Sequence, residues 1–156
     1  MASADDGRLR KRKMDSRAKG RLYRKGLEAF NSGHFYEAHE LWEELWLETP
    51  NPDKKFLQGL IQVAAAFHHY SRANLVGTRN LLHAGLLKLE CFPAIHGALE
   101  IEALREAVRG WLLAIEAREG LEGRIPPRIE QRVEAGDSIY PFLVESSVGS
   151  SRRNEK

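Results

Sequence analysis

The chain has 156 residues, of which 42% are hydrophobic and 29% are charged, and its formal net charge is +2. That length and apolar content are sufficient for one domain with one modest core. The single cysteine excludes an internal disulfide, and no window approaches the roughly eighteen apolar residues of a membrane span. We therefore expect a cytoplasmic protein that makes no membrane contact.

Long stretches rich in Ala, Leu, Glu and Arg predict an all-α fold of about five helices. Asp15 or Ser16 marks the start of the first helix, and turn residues such as Gly33 and Pro93 separate the later ones. The predicted helices span residues 15–30, 34–48, 53–74, 75–92 and 98–118. After them, the prolines exclude a helix through residues 124–129, and a short turn is expected from residue 128 onwards.

The two ends of the chain differ from its centre in composition. Residues 1–14 are charge-dense and residues 144–156 are rich in Ser and Gly, so we predict a disordered leader and tail around one domain, residues 15–143. Residues 1–25 carry ten Lys and Arg against three Asp, a net charge of +7. We expect any nucleic-acid affinity to lie in residues 8–25, to depend on salt and to ignore base sequence; a solvated leader is the alternative.

Short connections between the predicted helices make consecutive helices antiparallel neighbours, stacked as helical hairpins. The residues around the second helix distantly resemble a tetratricopeptide unit, in which small residues let two helices approach closely. They are Gly26, Gly33, Phe35, Ala38, Trp42, Leu45 and Pro50. A second and weaker copy begins at Gly77, but two units at unequal spacing do not make a repeat array.

The second helix contains the densest run of reactive side chains, Gly33-His-Phe-Tyr-Glu-Ala-His-Glu-Leu-Trp-Glu-Glu-Leu-Trp46. At 100° per residue, the apolar residues form one arc that includes Trp42 and Trp46. These two tryptophans are expected in the core, with a role in lining a pocket as the alternative. His39 and Glu43 lie one turn apart at the edge of the arc, and the remaining glutamates face away from it.

The third helix is apolar around nearly its whole circumference, which predicts a helix buried in the middle of the fold. Along it, Gln58, Gln62 and His69 form a single polar stripe. Because buried polar groups need partners, we predict a polar cluster between helices two, three and four that joins this stripe to His39 and Glu43.

Three interpretations of this cluster stay open. It is a structural hydrogen-bonded network, or a ligand or catalytic pocket in which Glu43 orients His39 as a general base, or a metal site. His39, Glu43 and His69 would supply two imidazoles and one carboxylate, a set that zinc and non-haem iron use. The zinc-protease string H-E-x-x-H, the Gly-x-Ser-x-Gly turn and a phosphate-binding glycine loop are absent, so no nucleotide cofactor is predicted.

A longer pattern runs from Phe30-Asn31-x-Gly33-x-Phe35-x-Glu37-Ala38-His39-Glu40-x-Trp42-Glu43-x-x-Trp46 to Leu57-Gln58-Gly59-Leu60-Ile61-Gln62-x-Ala64-Ala65. It resembles the prokaryotic family called domain of unknown function 309, over roughly residues 20–118. The resemblance implies a small multihelical domain with signature residues His39, Glu40, Glu43 and Trp46. It adds Glu40 to the candidate cluster, although the helical wheel points Glu40 outward.

From these observations we interpret the protein as a binding or interaction module with an inter-helix polar cluster, whose partner is a small ligand or a protein. The alternative is a small enzyme, metal-dependent in one version, that uses His39 and Glu43 as base or ligands. The binding module and the enzyme can be distinguished by whether the cluster opens to solvent, because a catalytic pair needs a pocket and a structural network does not.

Overall fold

The computed structural model describes residues 13–132. Within them, five α-helices and one two-stranded antiparallel hairpin follow one another along the chain, so the predicted all-α fold is confirmed. The elements are α1 Ser16–Asn31, α2 Phe35–Trp46, α3 Asp53–Ser71, α4 Leu75–Leu89, β1 Ile95–His96, β2 Leu99–Glu100 and α5 Ile101–Glu116.

The helices begin and end where local chemistry stops them. Asp15 caps α1 by accepting a hydrogen bond from the Ala18 amide at 2.9 Å. The third helix ends at residue 71, three residues before the predicted end, because Ala73 adopts a left-handed φ of 62°. Asn74 then caps α4, its side chain accepting from the Gly77 amide at 3.0 Å. Residues 72–74 therefore end α3 and start α4.

Each helix packs against the next one along the chain, as short connections require. The third helix is buried on nearly all sides, as predicted, and contributes nine buried residues to the core. Glycines allow its close approach to α4: a Cβ on Gly59 would lie 2.9 Å from the Leu89 side chain, and one on Gly85 would lie 3.0 Å from the Gly59 carbonyl. The tetratricopeptide likeness itself stays a prediction.

The hairpin before α5 and the segment after it were not predicted. Leu99 forms an isolated antiparallel bridge with Gln131, and Asn31 at the end of α1 exchanges two hydrogen bonds with the backbone of Ile129, of 3.0 and 2.8 Å. The expected turn from residue 128 is therefore an extended strand-like segment in residues 128–132, with Ile129 buried. Its partners Leu99 and Asn31 lie about thirty and about a hundred residues away along the chain, so periodicity does not reveal them.

Other predictions reach beyond the described residues. Of the leader, residues 1–12 lie outside them, and so does the whole tail, residues 144–156. The last part of the predicted domain, residues 133–143, is also outside. Across residues 13–132, every helix is too short or too polar to cross a membrane.

Gly26 should be far less tolerant of Ala than Gly110, although both lie inside helices. A Cβ on Gly26 would overlap the indole of Trp42, whereas a Cβ on Gly110 would meet only the Arg124 guanidinium, at 3.9 Å. We expect Gly26→Ala to lower the free energy of unfolding by about 1–3 kcal/mol through overpacking. Gly110→Ala should raise it by up to about 1 kcal/mol through helix propensity. Urea unfolding of both variants measures this; equal effects would show that α1 and α2 can separate without loss.

Candidate functional site

Three candidate residues come together on α2. Ala38, Trp42 and Leu45 turn the buried side of this helix into the core, and His39 and Glu43 lie one turn apart at the border of that side. The His39 side chain is 25% exposed, whereas Glu40 and Glu43 are 53% and 50% exposed. The group therefore opens to solvent and is not a sealed network between helices.

Both nitrogens of His39 face a carboxylate at more than hydrogen-bond distance. Nδ1 lies 3.5 Å from a Glu40 oxygen, and Nε2 lies 3.9 Å from a Glu43 oxygen. Nδ1 is buried and has no hydrogen-bond partner among the described residues. One donor atom from each of His39, Glu40 and Glu43 can be chosen so that all three lie within 4.8 Å of one another.

Tyr36, which the sequence analysis did not select, holds two of these residues in place. Its ring stacks on the His39 imidazole, with centroids 6.1 Å apart and planes 15° apart. The interaction of its hydroxyl with the Glu40 carboxylate is the main reason that the pKa of Tyr36 is raised above its ordinary value. This contact also explains Glu40: the residue does point outward from the helix, and its carboxylate reaches back along the surface towards Tyr36 and His39. The signal in the sequence was the spacing of four between Tyr36 and Glu40.

His68 of α3 lies beside this group. Its ring centroid is 5.1 Å from that of Tyr36. Partial burial lowers the pKa of His68, and the charges of Arg72, His69 and His39 lower it further. Histidine 68, rather than His69, is therefore the residue of α3 that neighbours the α2 group.

The other predicted members of the cluster lie against α4. The Nδ1 atom of His69 is 3.0 Å from the Asn74 side-chain nitrogen, and the same ring packs against Gly77. Gln62 packs near Gly85, and its side-chain oxygen is buried without a partner among residues 13–132. Gln58, half-buried, lies one turn earlier on the same face. The structure thus separates the six candidates into an α2 group and an α3 stripe facing α4.

The two tryptophans have different environments. Trp42 is fully buried, and its indole nitrogen donates to the Tyr23 carbonyl at 3.2 Å, so it is a core residue. Trp46 is partly buried beneath Lys54, whose amino group lies 3.9 Å from the indole centroid and donates to the Trp46 carbonyl at 3.0 Å.

A shallow hollow of about 330 Å³ lies beside the α2 group. Among the described residues it is lined by Glu40, Leu41, Glu43, Glu44 and Leu47. The two carboxylates of the group therefore border a space that a small ligand can enter, whereas His39 is not among its lining residues.

Comparison with known proteins agrees with the resemblance. The family model described as "Domain of unknown function (DUF309)" matches residues 23–81, a shorter range than the predicted 20–118. An "Uncharacterized protein" of Aquifex aeolicus (strain VF5) is 34% identical over 93 residues, which are 57% of this chain and 28% of that protein. "Uncharacterized protein YpuF" of Bacillus subtilis (strain 168) is 36% identical over 67 residues, 42% of this chain and 37% of that protein.

The chain thus spans about a third of the length of these two relatives. The prediction of the family is confirmed over residues 23–81, a range that contains the whole of α2 and its three grouped side chains. The match assigns no role to His39, Glu40, Glu43 or Trp46, so the signature stays a prediction.

Proposed function

We propose that this domain is a small binding module that holds a divalent metal ion on α2, with His39, Glu40 and Glu43 as its protein ligands. The observation that supports this best is the grouping of one imidazole and two carboxylates within 4.8 Å, with a buried His39 nitrogen that has no hydrogen-bond partner among residues 13–132. A cation between these groups would supply the missing interaction.

The donor set suits particular ions. One imidazole nitrogen and two carboxylate oxygens are ligands that zinc, manganese and iron(II) accept in proteins. Three protein ligands leave further coordination positions free for water or a bound small molecule. The hollow beside Glu40 and Glu43 gives such a molecule a way to the ion.

The charge pattern of α2 also favours a bound cation. The exposed side of α2 carries Glu37, Glu40, Glu43 and Glu44, and Glu40 lies three or four residues from each of the others, a spacing at which like charges destabilise a helix. The described residues place no Lys or Arg in ion-pair contact with any of these four carboxylates. A divalent ion held by two of them would relieve part of this repulsion.

Binding is favoured over acid–base catalysis by the same three residues. A general base oriented by a carboxylate normally shares a hydrogen bond with it, at about 2.6–3.2 Å. The His39 Nε2 to Glu43 distance of 3.9 Å is longer, and it leaves the carboxylate directed towards the solvent side. The lone cysteine and the absence of disulfides support a proposed location in the cytoplasm.

The test is a metal titration of the full chain and its variants. We expect zinc, manganese or iron(II) to bind with one ion per chain, measured by calorimetry and by competition with a chromophoric chelator. Glu43→Gln and His39→Gln should each weaken binding at least about tenfold, and Tyr36→Phe by about tenfold because the Glu40 ligand then loses its interaction with the Tyr36 hydroxyl. Added metal should raise the melting temperature of the wild type more than that of these three variants.

Glu37→Gln is the matched control, because it removes the same charge from the same helix outside the group. Since Glu43 is half exposed, its replacement by Gln should leave the unfolding free energy of the metal-free protein nearly unchanged. Two results would count against the proposal: no binding by the wild type, or an equal loss of affinity in Glu37→Gln and Glu43→Gln.

A further inference from the structure

The exposed side of α1 is unusually basic. Arg17, Arg21, Arg24 and Lys25 follow one another at steps of four, three and one residues, which places them on one side of the helix. Tyr23, Leu27 and Phe30 point in the other direction, into the core. We call the four cationic side chains the α1 basic face.

These cations have no carboxylate partners in the described part of the chain. Ion pairs join Arg79, Arg105, Arg109, Arg128 and Arg132 to acidic residues, but none involves the α1 basic face. Glu28 is the one acidic residue on the exposed side of α1 itself. The positive charge of this helix is therefore available to a partner.

Some of the positive charges of α1 also lie at the end of the helix where they do not stabilise it. The first turn of α1 contains Arg17 and Lys19 and no acidic residue, so that only the capping Asp15 complements the positive end of the helix dipole. Cations in the first turn of a helix oppose its dipole and destabilise it. Residues that work against local stability are typical of surfaces that serve binding.

We propose that the α1 basic face binds the phosphate backbone of a nucleic-acid duplex. Their steps of four, three and one residues correspond to about 6, 4.5 and 1.5 Å along the helix axis, so that one helix side can contact several phosphates of a duplex. The preceding sequence adds five basic residues, Arg8, Arg10, Lys11, Arg12 and Lys13, to the same end of the chain. This surface is separate from the proposed metal site on α2 and does not depend on it.

The chemistry of the surface selects a duplex over two other anionic partners. Proteins that hold single strands stack bases on exposed aromatic rings, and α1 buries its aromatic residues Tyr23 and Phe30. Helices that lie on anionic membranes insert an apolar side between the lipids, and the apolar side of α1 is occupied by the core. Binding through backbone phosphates alone is independent of base sequence.

The experiment measures fluorescence anisotropy of labelled duplex DNA with the full chain at about 50 and about 200 mM salt. The test variant is Arg17→Gln/Arg21→Gln/Arg24→Gln. The control is Lys55→Gln/Arg72→Gln/Arg118→Gln, which removes the same charge from exposed positions elsewhere in the chain.

We expect the wild type to bind two unrelated duplexes with equal affinity, and this affinity should fall as the salt concentration rises. The test variant should lose at least tenfold in affinity, and the slope of log affinity against log salt should flatten by about 2–3. The control should bind nearly as the wild type does.

Several results would overturn the proposal. Wild-type affinity in the test variant would show that the leader, or another surface, carries any binding. Equal losses in the test and control variants would show that net charge alone matters. Tighter binding to phosphatidylserine vesicles than to duplex would assign the surface to membranes. If the wild type does not bind duplex even at the lower salt concentration, the surface does not bind duplexes. Circular dichroism of each variant, together with the milder Arg17→Gln/Arg21→Gln pair, separates lost binding from lost fold.

Discussion

Replacing Trp42 with Ala is expected to lower the free energy of unfolding by about 3–5 kcal/mol. Its side chain is fully buried between α1 and α2, where its ring stacks on Phe30 with centroids 6.1 Å apart. The indole also fills the space left by Gly26 and donates a hydrogen bond to the Tyr23 carbonyl at 3.2 Å. Truncation leaves a cavity at the contact of the two helices and removes this hydrogen bond. Because small domains are stable by only about 5–15 kcal/mol, the variant should be close to unfolding at ordinary temperatures.

Trp46→Ala is the matched control for this prediction. It removes the same side chain from the same helix, one turn later, where the indole is only partly buried beneath Lys54. We expect Trp46→Ala to lower the free energy of unfolding by about 1 kcal/mol, which is the usual effect of a single substitution. Urea unfolding followed by far-ultraviolet circular dichroism measures both variants. Similar losses would contradict the assignment of Trp42 to the core and of Trp46 to its edge.

Arg105→Met is expected to lower the free energy of unfolding by about 2–4 kcal/mol. The Arg105 guanidinium is nearly buried and donates to the carbonyls of Leu89 and Phe92, at 2.7 and 2.8 Å, just where α4 ends. The last carbonyls of a helix have no partners within it, so this side chain of α5 serves as a cap for α4. Methionine keeps much of the volume but removes both hydrogen bonds: the Leu89 carbonyl still accepts from the Phe92 amide at 3.1 Å, whereas the Phe92 carbonyl loses the donor that Arg105 provides.

Arg109→Met provides the comparison, since Arg109 lies one turn away on α5 and contacts Glu90 and Glu102 only at 3.6 and 3.5 Å. Its side chain is 42% exposed, and we expect a loss below about 1 kcal/mol. A loss in Arg109→Met as large as that in Arg105→Met would show that net charge, and not the cap, is responsible.

The contribution of Arg105 should also depend on pH through Glu102. The hydrogen bond from Arg105 lowers the pKa of Glu102 below its ordinary value of 4.5. A lowered carboxyl pKa stabilises the fold above pH 4.5, and this stabilisation is lost as the pH falls through the folded-state value. The difference in stability between the wild type and Arg105→Met should therefore be smaller at acid pH than at neutral pH, which unfolding at both pH values measures.

The two proposed surfaces lie on consecutive helices with opposite charge. The exposed side of α1 is basic, and that of α2 is acidic and carries the proposed metal ligands. A metal ion on α2 would reduce the negative charge next to the duplex-binding helix. The titration with metal and the duplex measurements use separate variants, so that either proposal can fail without the other.

The sequence by itself determined the helices and most of the core. Caps, glycines and prolines act on their immediate neighbours, so Asp15 and Gly33 placed the ends of α1 within a residue or two. The apolar period of α3 likewise predicted a central helix, because burial around a whole helix depends on its own residues. The resemblance to the family was also predicted from the sequence, since the residues that match the family lie in one continuous range, 23–81.

Only the tertiary structure decided which polar side chains meet. Adjacent helix positions differ by 100°, so the crossing of α3 with its neighbours turns His68 towards α2 and His69 towards α4. The path of a flexible side chain brings Glu40 back to Tyr36 and His39, although its Cα faces outward. Arg105 and Asn31 find backbone partners 16 and 98 residues away. Such contacts depend on how whole helices are placed relative to each other, which no local pattern of residues specifies.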